Sequence, residues 1–237
     1  MKAQVLLTPA GAKHLIAKAL CEYVDFTKRV YIAYGTTNEY LLYHLGIERK
    51  ISYVAGCNVK GKLNVTVRRD KPVILENMSE KNIADFEIGA DDYFIKGANA
   101  LWYENGEKHA AVAAADKNGG TYGNFYIKAA CRGSRIIIAV GHEKLIPFFK
   151  ETSQDVDFSN GVKISMLRYF QGEVFTEIEA FKILFNVRAD VICAGGVWGS
   201  EGSVGFLVEG ERVSQALDFC NKYNFLKIEK ETEFIFQ

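Results

Sequence analysis

The chain is short of several things, and each shortage excludes something. Proline occurs three times in 237 residues and no low-complexity tract is present, which leaves little sequence for disorder. Net charge is lacking, because 29 basic and 29 acidic residues cancel and the pI is about 6.9. Such a balance provides no electrostatic footprint for nucleic acid or for an anionic membrane. No apolar run approaches the ~20 residues that a membrane helix needs. The opening Met1-Lys2-Ala3-Gln4-Val5 reaches Thr8-Pro9 too soon to hold the apolar core of a signal peptide. Five cysteines (Cys21, Cys57, Cys131, Cys193, Cys220) are scattered, odd in number and without CxxC spacing. They read as reduced thiols of a cytoplasmic protein. Neither HxxxH nor HExxH spacing occurs, so no metal is expected, and no cofactor motif stands out.

What remains is an ordinary globular composition, 49% apolar and 24% charged. Thr8-Pro9 reads as an N-cap with proline at the first helical position, opening a helix over 9–24. Its lone histidine, His14, reads as a surface or packing residue. Arg29 to Tyr34 is a strand ending at Gly35-Thr36-Thr37-Asn38, and Leu41, Leu42 and Leu45 continue at helical spacing. Two readings of that turn stand side by side. Backbone amides and threonine hydroxyls at a helix start hold a phosphate or carboxylate; Thr36 or Thr37 simply caps the helix. Two strands around Lys60-Gly61 form a hairpin, and Lys71 to Leu75 adds a short strand. Cys57, between Gly56 and Asn58 of the first of these strands, reads as an inert core thiol.

The centre of the chain runs from Asp92 to Pro147. An apolar run, Tyr93-Phe94-Ile95, breaks at Lys96-Gly97-Ala98-Asn99. Residues 109–115 read as a strand. Gly119-Gly120-Thr121-Tyr122-Gly123 then opens a helix from Asn124 to Arg132, and Arg135 to Val140 is a strand capped by Gly141-His142-Glu143-Lys144. Strands followed by glycine turns predict a parallel sheet with a ligand site at its carboxyl edge. Lys96 pairs with a substrate anion or is a surface lysine; Glu143 is a base or nucleophile, or an ion-pair partner of Lys144. Gly195-Gly196 and Gly199-x-x-Gly202 lie between strands and read as a hairpin turn.

After Pro147 the pattern changes. Residues 151–161 are polar and read as a linker. Strand 162–170, helix 175–185, strands 189–194 and 204–208, helix 211–223 and strand 226–236 follow, which is the βαββαβ order of a ferredoxin-like unit. The predicted fold is therefore α/β: a Rossmann-like, mostly parallel domain over 1–150, then a smaller ferredoxin-like domain over 162–237. A unit so small buries little surface alone, and its uncovered sheet face predicts a homodimer, with packing against the first domain as the alternative.

Gly97-Ala98-Asn99-Ala100-Leu101 and Gly141-His142-Glu143-Lys144-Leu145-Ile146-Pro147, with Gly35-Thr36-Thr37 and Gly120-Thr121-Tyr122, resemble motifs of one superfamily over about residues 9–150. It holds ribose-phosphate isomerase, glucosamine-phosphate deaminase, methylthioribose-phosphate isomerase and the CoA transferases, and the likeness is closest to its lactate-utilisation branch. The resemblance implies a small anionic substrate, either a phosphosugar or an organic acid or acyl-CoA. Gly35, Thr36, Thr37, Gly97, Gly120 and Thr121 would cradle the anion, Lys96 would meet its charge, Asn99 would orient it, and Glu143 would carry the acid/base or nucleophilic step. A departure accompanies it. The methylthioribose-phosphate isomerase branch has an acidic aspartate where this chain has Asn99, and an amide neither takes nor gives a proton near neutral pH, so in an isomerase Glu143 or Lys96 would have to serve as the catalytic acid/base. A ligand-binding protein that kept the cradle without the acid is the alternative.

Overall fold

The computed structural model describes residues 1–83, 86–230 and 232–236. Its centre is a six-stranded sheet. Strands β2 (Val30–Ile32), β7 (Tyr93–Gly97), β10 (Arg135–Ala139) and β12 (Glu173–Phe175) run parallel, in the order β12-β10-β7-β2. Beyond β2 the sheet continues antiparallel through β5 (Val73–Glu76) and β6 (Ser79–Lys81). The parallel strands are the chain's continuous apolar runs. Val30, Tyr31, Ile32, Phe94, Ile95 and Ile138 are all fully buried, as strands covered on both faces must be.

Helix α1 (Pro9–Tyr23) begins where Thr8 accepts the Gly11 amide at 3.2 Å, with Pro9 in the first turn. It packs on α2 (Thr36–His44) and on α4 (Glu177–Phe185). Two smaller sheets flank the centre. The hairpin β3 (Gly56–Val59) and β4 (Lys62–Val65) turns at Lys60-Gly61. The sheet β11-β9-β8 (Ser165–Arg168, Glu107–Ala114, Ala100–Glu104) is antiparallel, and its β8–β9 turn uses Asn105 and Gly106, both at positive φ. A π-helical turn, Tyr122–Tyr126, leads into α3 (Ile127–Cys131). Among the described residues no helix is long and apolar enough to cross a membrane.

The expected division into a domain ending near 150 and a separate βαββαβ unit is corrected. Strand β11 joins the β8–β9 hairpin, and β12 extends the parallel sheet beside β10. The third sheet is β1-β14-β13 (Lys2–Leu7, Ser203–Glu209, Arg188–Gly195), so the first strand of the chain pairs with its last. Its buried side is covered by α1, α4 and α5 (Val213–Tyr223). Among the described residues, the segment expected as strand 226–236 forms one isolated bridge, Phe234 to Thr66, and no ladder. It makes single backbone bonds from Ile235 to Val65 and from Val67 to Glu233, and Glu229 accepts from Lys13 and Tyr40. Burial explains the choice. Val5 and Leu7 on β1 reach the same core as Phe181 and Phe206, and a strand that buries alternate residues there outcompetes the polar tail. Of the aromatic residues of that half, Phe175, Phe181, Phe185 and Phe206 are buried, whereas Phe170, Trp198 and Phe225 are exposed.

Candidate functional site

The carboxyl ends of β2 and β7 open on a cavity of about 360 Å³. Each wall is a turn that follows an element already described. Tyr34 to Thr37 come from the β2–α2 turn, Lys96 to Asn99 from the end of β7, and Ala113 to Asp116 with Gly119 to Tyr122 from the end of β9 and the segment after it. Cys57 and Asn64 of the β3–β4 hairpin, Arg69 and Lys144 complete it. Parallel strands end on one edge, which is why turns so distant in sequence meet.

At the first turn, Gly35 has φ 156° and ψ 153°, a conformation essentially closed to residues with a Cβ. An added Cβ would meet nothing within 4 Å, so backbone conformation alone selects the glycine. Gly35 is the N-cap of α2 and no side chain caps it, which decides against capping by Thr36 or Thr37. The first amides of α2 are left without intrahelical partners. The turn is held from behind by Asn38, which donates to the carbonyls of Ala33 at 2.7 Å and Ile95 at 3.0 Å. The next residue, Glu39, is buried, accepts the Tyr53 amide at 3.3 Å, and has its carboxyl pushed up to about 7 by desolvation. Neither role was visible in the sequence pattern.

At the second turn, Lys96 Nζ donates to the Tyr34 carbonyl at 3.0 Å. Burial, and after it the charge of Lys144, brings its ammonium down to about 8. No carboxylate of the described residues forms an ion pair with it. Gly97 lends its carbonyl to the Tyr169 hydroxyl at 2.9 Å. Asn99 Oδ1 accepts the Ala113 amide at 3.0 Å while its own amide donates to Ala111, so the Nδ2 group is the part left for a ligand.

The third turn departs from expectation. Asp116 Oδ1 accepts the amides of Asn118 at 2.8 Å and Gly120 at 3.2 Å. Gly120 therefore lines the cavity with its N–H already engaged, and of the expected pair Thr121 keeps a free hydroxyl.

The fourth turn departs further. Glu143 does not line the cavity; Lys144 does. The turn His142–Lys144 is 3₁₀, in which successive side chains point about 120° apart. With Lys144 on the cavity, Glu143 is directed elsewhere. Its carboxyl lies over Gly141, where an added Cβ would collide with it, and beside the Glu177 carboxylate. Desolvation raises its pKa, with Lys144 opposing at 3.8 Å and Glu177 reinforcing. The ion-pair reading of Glu143 is the one the geometry carries, and its assignment to the cavity chemistry is corrected.

Its neighbour His142 belongs to a second group. The Glu177 carboxylate accepts the His142 backbone amide at 3.0 Å and meets Nδ1 at 2.6 Å, and the ring's Nε2 meets the Tyr103 hydroxyl at 2.9 Å. Both His142 and Glu177 are buried. Sequence reasoning also missed Tyr34, Arg69, Asp116 and Lys144 as cavity residues, and Cys57, read as a core thiol, is a half-buried lining residue whose thiol burial raises. Only Lys144 carried a signal, by its place in the glycine-led turn after β10. Among the described residues no cluster of three or more metal-ligating side chains occurs. Comparison of the chain with family models, with curated proteins and with solved structures gave no match.

Proposed function

We propose that the cavity binds a small anionic metabolite, a phosphosugar or an organic acid, as the superfamily resemblance implies. One observation carries the reading. A helix start with uncapped amides and the cationic residues Lys96, Lys144 and Arg69 line the same space, against one acidic residue among the described residues, Asp116. One oxygen of its carboxylate, Oδ1, is already engaged by two backbone amides. Positive groups around a helix N-terminus favour phosphate or carboxylate. A volume of about 360 Å³ lies near the small end of ligand pockets. It suits a phosphosugar and leaves most of an acyl-CoA outside.

In this reading the four parallel strands are a Rossmann-like core with its ligand at the carboxyl edge. The amides of Thr36 and Thr37 hold the anion, Lys144 and Arg69 neutralise it, and Asn99 orients the remainder. Calorimetric titration with inorganic phosphate, phosphopentoses and small hydroxy acids tests it. Saturable binding that weakens with salt and is lost on Lys144→Ala with Arg69→Ala supports the reading; no binding at millimolar ligand sinks it. Whether the bound molecule is turned over separates an enzyme from the alternative, a binding protein that kept the cradle.

A further inference from the structure

We propose that Lys96 is a nucleophile that forms an imine with the carbonyl carbon of a phosphate- or carboxylate-bearing aldehyde or ketone. The inference rests on the anion-binding reading of the same cavity and names the chemistry that accompanies it.

Four observations lead there. Lys96 is the last residue but one of β7 and lies opposite Ile138 of β10, so its backbone is held in the sheet, one residue past the end of the β2 pairing at Ile95. Lys96 is a lining residue of the cavity, and among the described residues the one hydrogen-bond partner of its ammonium is the Tyr34 carbonyl. None of the ion pairs of the described residues includes it, whereas Lys144 beside it is paired with Glu143. Finally, other groups already supply positive charge for an anion: Lys144, Arg69 and the amides of α2. A desolvated lysine without a counter-ion, next to a second cation, is driven towards the neutral amine. Its lowered pKa, about 8, agrees with that placement. The neutral amine keeps one N–H on the Tyr34 carbonyl and has a lone pair for the cavity.

The step balances without an added oxidant or reductant. The Nζ lone pair attacks the carbonyl carbon and forms a C–N bond, while the C=O π pair moves to oxygen. A proton passes from nitrogen to that oxygen, giving a carbinolamine. The nitrogen electron pair then forms the C=N bond as the C–O bond breaks, and the remaining N–H proton goes to the departing hydroxyl, so water leaves, the imine remains, and water reverses each step. The anionic group, held by the α2 amides, sets the carbonyl against Nζ, and that tether selects phosphorylated or carboxylated carbonyl compounds over neutral ones.

The test uses the full chain, glycolaldehyde phosphate and glycolaldehyde, with cyanoborohydride to reduce any imine to a secondary amine. Intact mass and peptide mapping read the product. The expected result is one adduct per chain at Lys96, formed at least tenfold faster with the phosphorylated aldehyde and slowed by inorganic phosphate. Lys96→Arg, which keeps the charge, and Lys96→Met should both lose that adduct and keep the slow labelling of surface lysines. Phosphate titration of the unmodified protein runs in parallel. If phosphate binds and Lys96 is not labelled, the imine step is overturned and the anion reading stands. If phosphate does not bind, the anion reading falls and the tethered imine with it. Equal rates with the two aldehydes also overturn the proposal, because the anion then selects nothing.

Discussion

The turn His142–Lys144 serves two groups of ionisable residues, and they differ in how their charges are met. His142 turns to Glu177, whose two carboxylate oxygens accept a backbone amide and meet a ring nitrogen inside the protein. Lys144 turns to the cavity, where Lys96 has a carbonyl for a partner and no carboxylate. Both groups are largely buried and both mix acids with bases, so composition does not distinguish them. Satisfaction does. A buried polar group that is fully paired holds the structure together, and one left facing a void is stabilised when something fills the void. Function is therefore sought in the second group, although the first contains the histidine and Glu177; the exception there is Glu143, whose buried Oε2 has no hydrogen-bond partner among the described residues.

The largest expected effect attacks the paired group. Glu177→Ala leaves the His142 amide and ring without their buried acceptor, and breaking such a pair costs about 3–5 kcal/mol. Urea denaturation should show that loss, while phosphate affinity of the remaining folded protein stays within a factor of about two. A loss of stability below about 1 kcal/mol would mean that water replaces the carboxylate easily and that the group is not sealed.

Lys96 should behave in the opposite sense. Its ammonium, near 8 in the fold, has an ordinary value of 10.5. Between those two values the unfolded chain binds more protons than the folded one, so stability rises with pH across that window and is lost as pH falls through about 8. The cost at neutral pH is on the order of 2–3 kcal/mol. Lys96→Met should therefore leave the protein at pH 7 no less stable than the parent, and should flatten its stability between pH 8 and 10. A destabilised Lys96→Met protein with an unchanged pH profile would place Lys96 in the structural group instead.

A paired group elsewhere sharpens the contrast. His14 and His44 share a hydrogen bond of 2.9 Å, and His14 also meets the Leu226 carbonyl at 2.9 Å. Desolvation lowers both, His44 to about 4. Their folded values lie below the unfolded one near 6.5, so the stability they confer is complete above that pH and is lost as pH falls towards 4. Allowing for screening at the half-buried His44, we expect a loss of about 2 kcal/mol over that range. His44→Gln should reduce the slope, and ligand affinity should not follow it.

The comparison also shows what the sequence made legible. Gly35-Thr36-Thr37 and Lys96-Gly97-Ala98-Asn99 could be placed together because each follows a fully apolar run, and such runs become parallel strands whose ends share an edge. The division after residue 150 misled because element order says nothing of strand partners. Glu173-Val174-Phe175 is too short to announce that it will extend the parallel sheet beside β10. Val5-Leu6-Leu7 lies against a strong helix start, so no alternation long enough to mark β1 emerges. Glu143 misled for a different reason. The motif around it locates a turn, and which of its three side chains faces the cavity depends on a 3₁₀ twist that spacing does not encode. The Asp116 contact with the Gly120 amide is likewise a product of loop geometry.

The smallest expected effect tests the border between the two groups, at Asn99. Half of its amide is structural: Oδ1 accepts the Ala113 N–H and helps to join the end of β7 to β9. The other half, Nδ2, is free for a ligand. Asn99→Asp retains the acceptor and changes the charge, so stability should stay within about 0.5 kcal/mol of the parent. Binding should weaken, because a carboxylate beside a bound anion repels it unless it takes up a proton, and the loss should shrink as pH is lowered. Asn99→Ala removes both halves. It should cost roughly 0.5–1.5 kcal/mol in stability for the lost backbone bond, and a comparable amount in affinity. The two substitutions together separate the roles: Asp harms binding alone, Ala harms both. If phosphate or phosphopentose affinity in calorimetry is the same for the parent and Asn99→Asp, Nδ2 does not touch the anion, and Asn99 belongs with the paired residues that build the cavity wall.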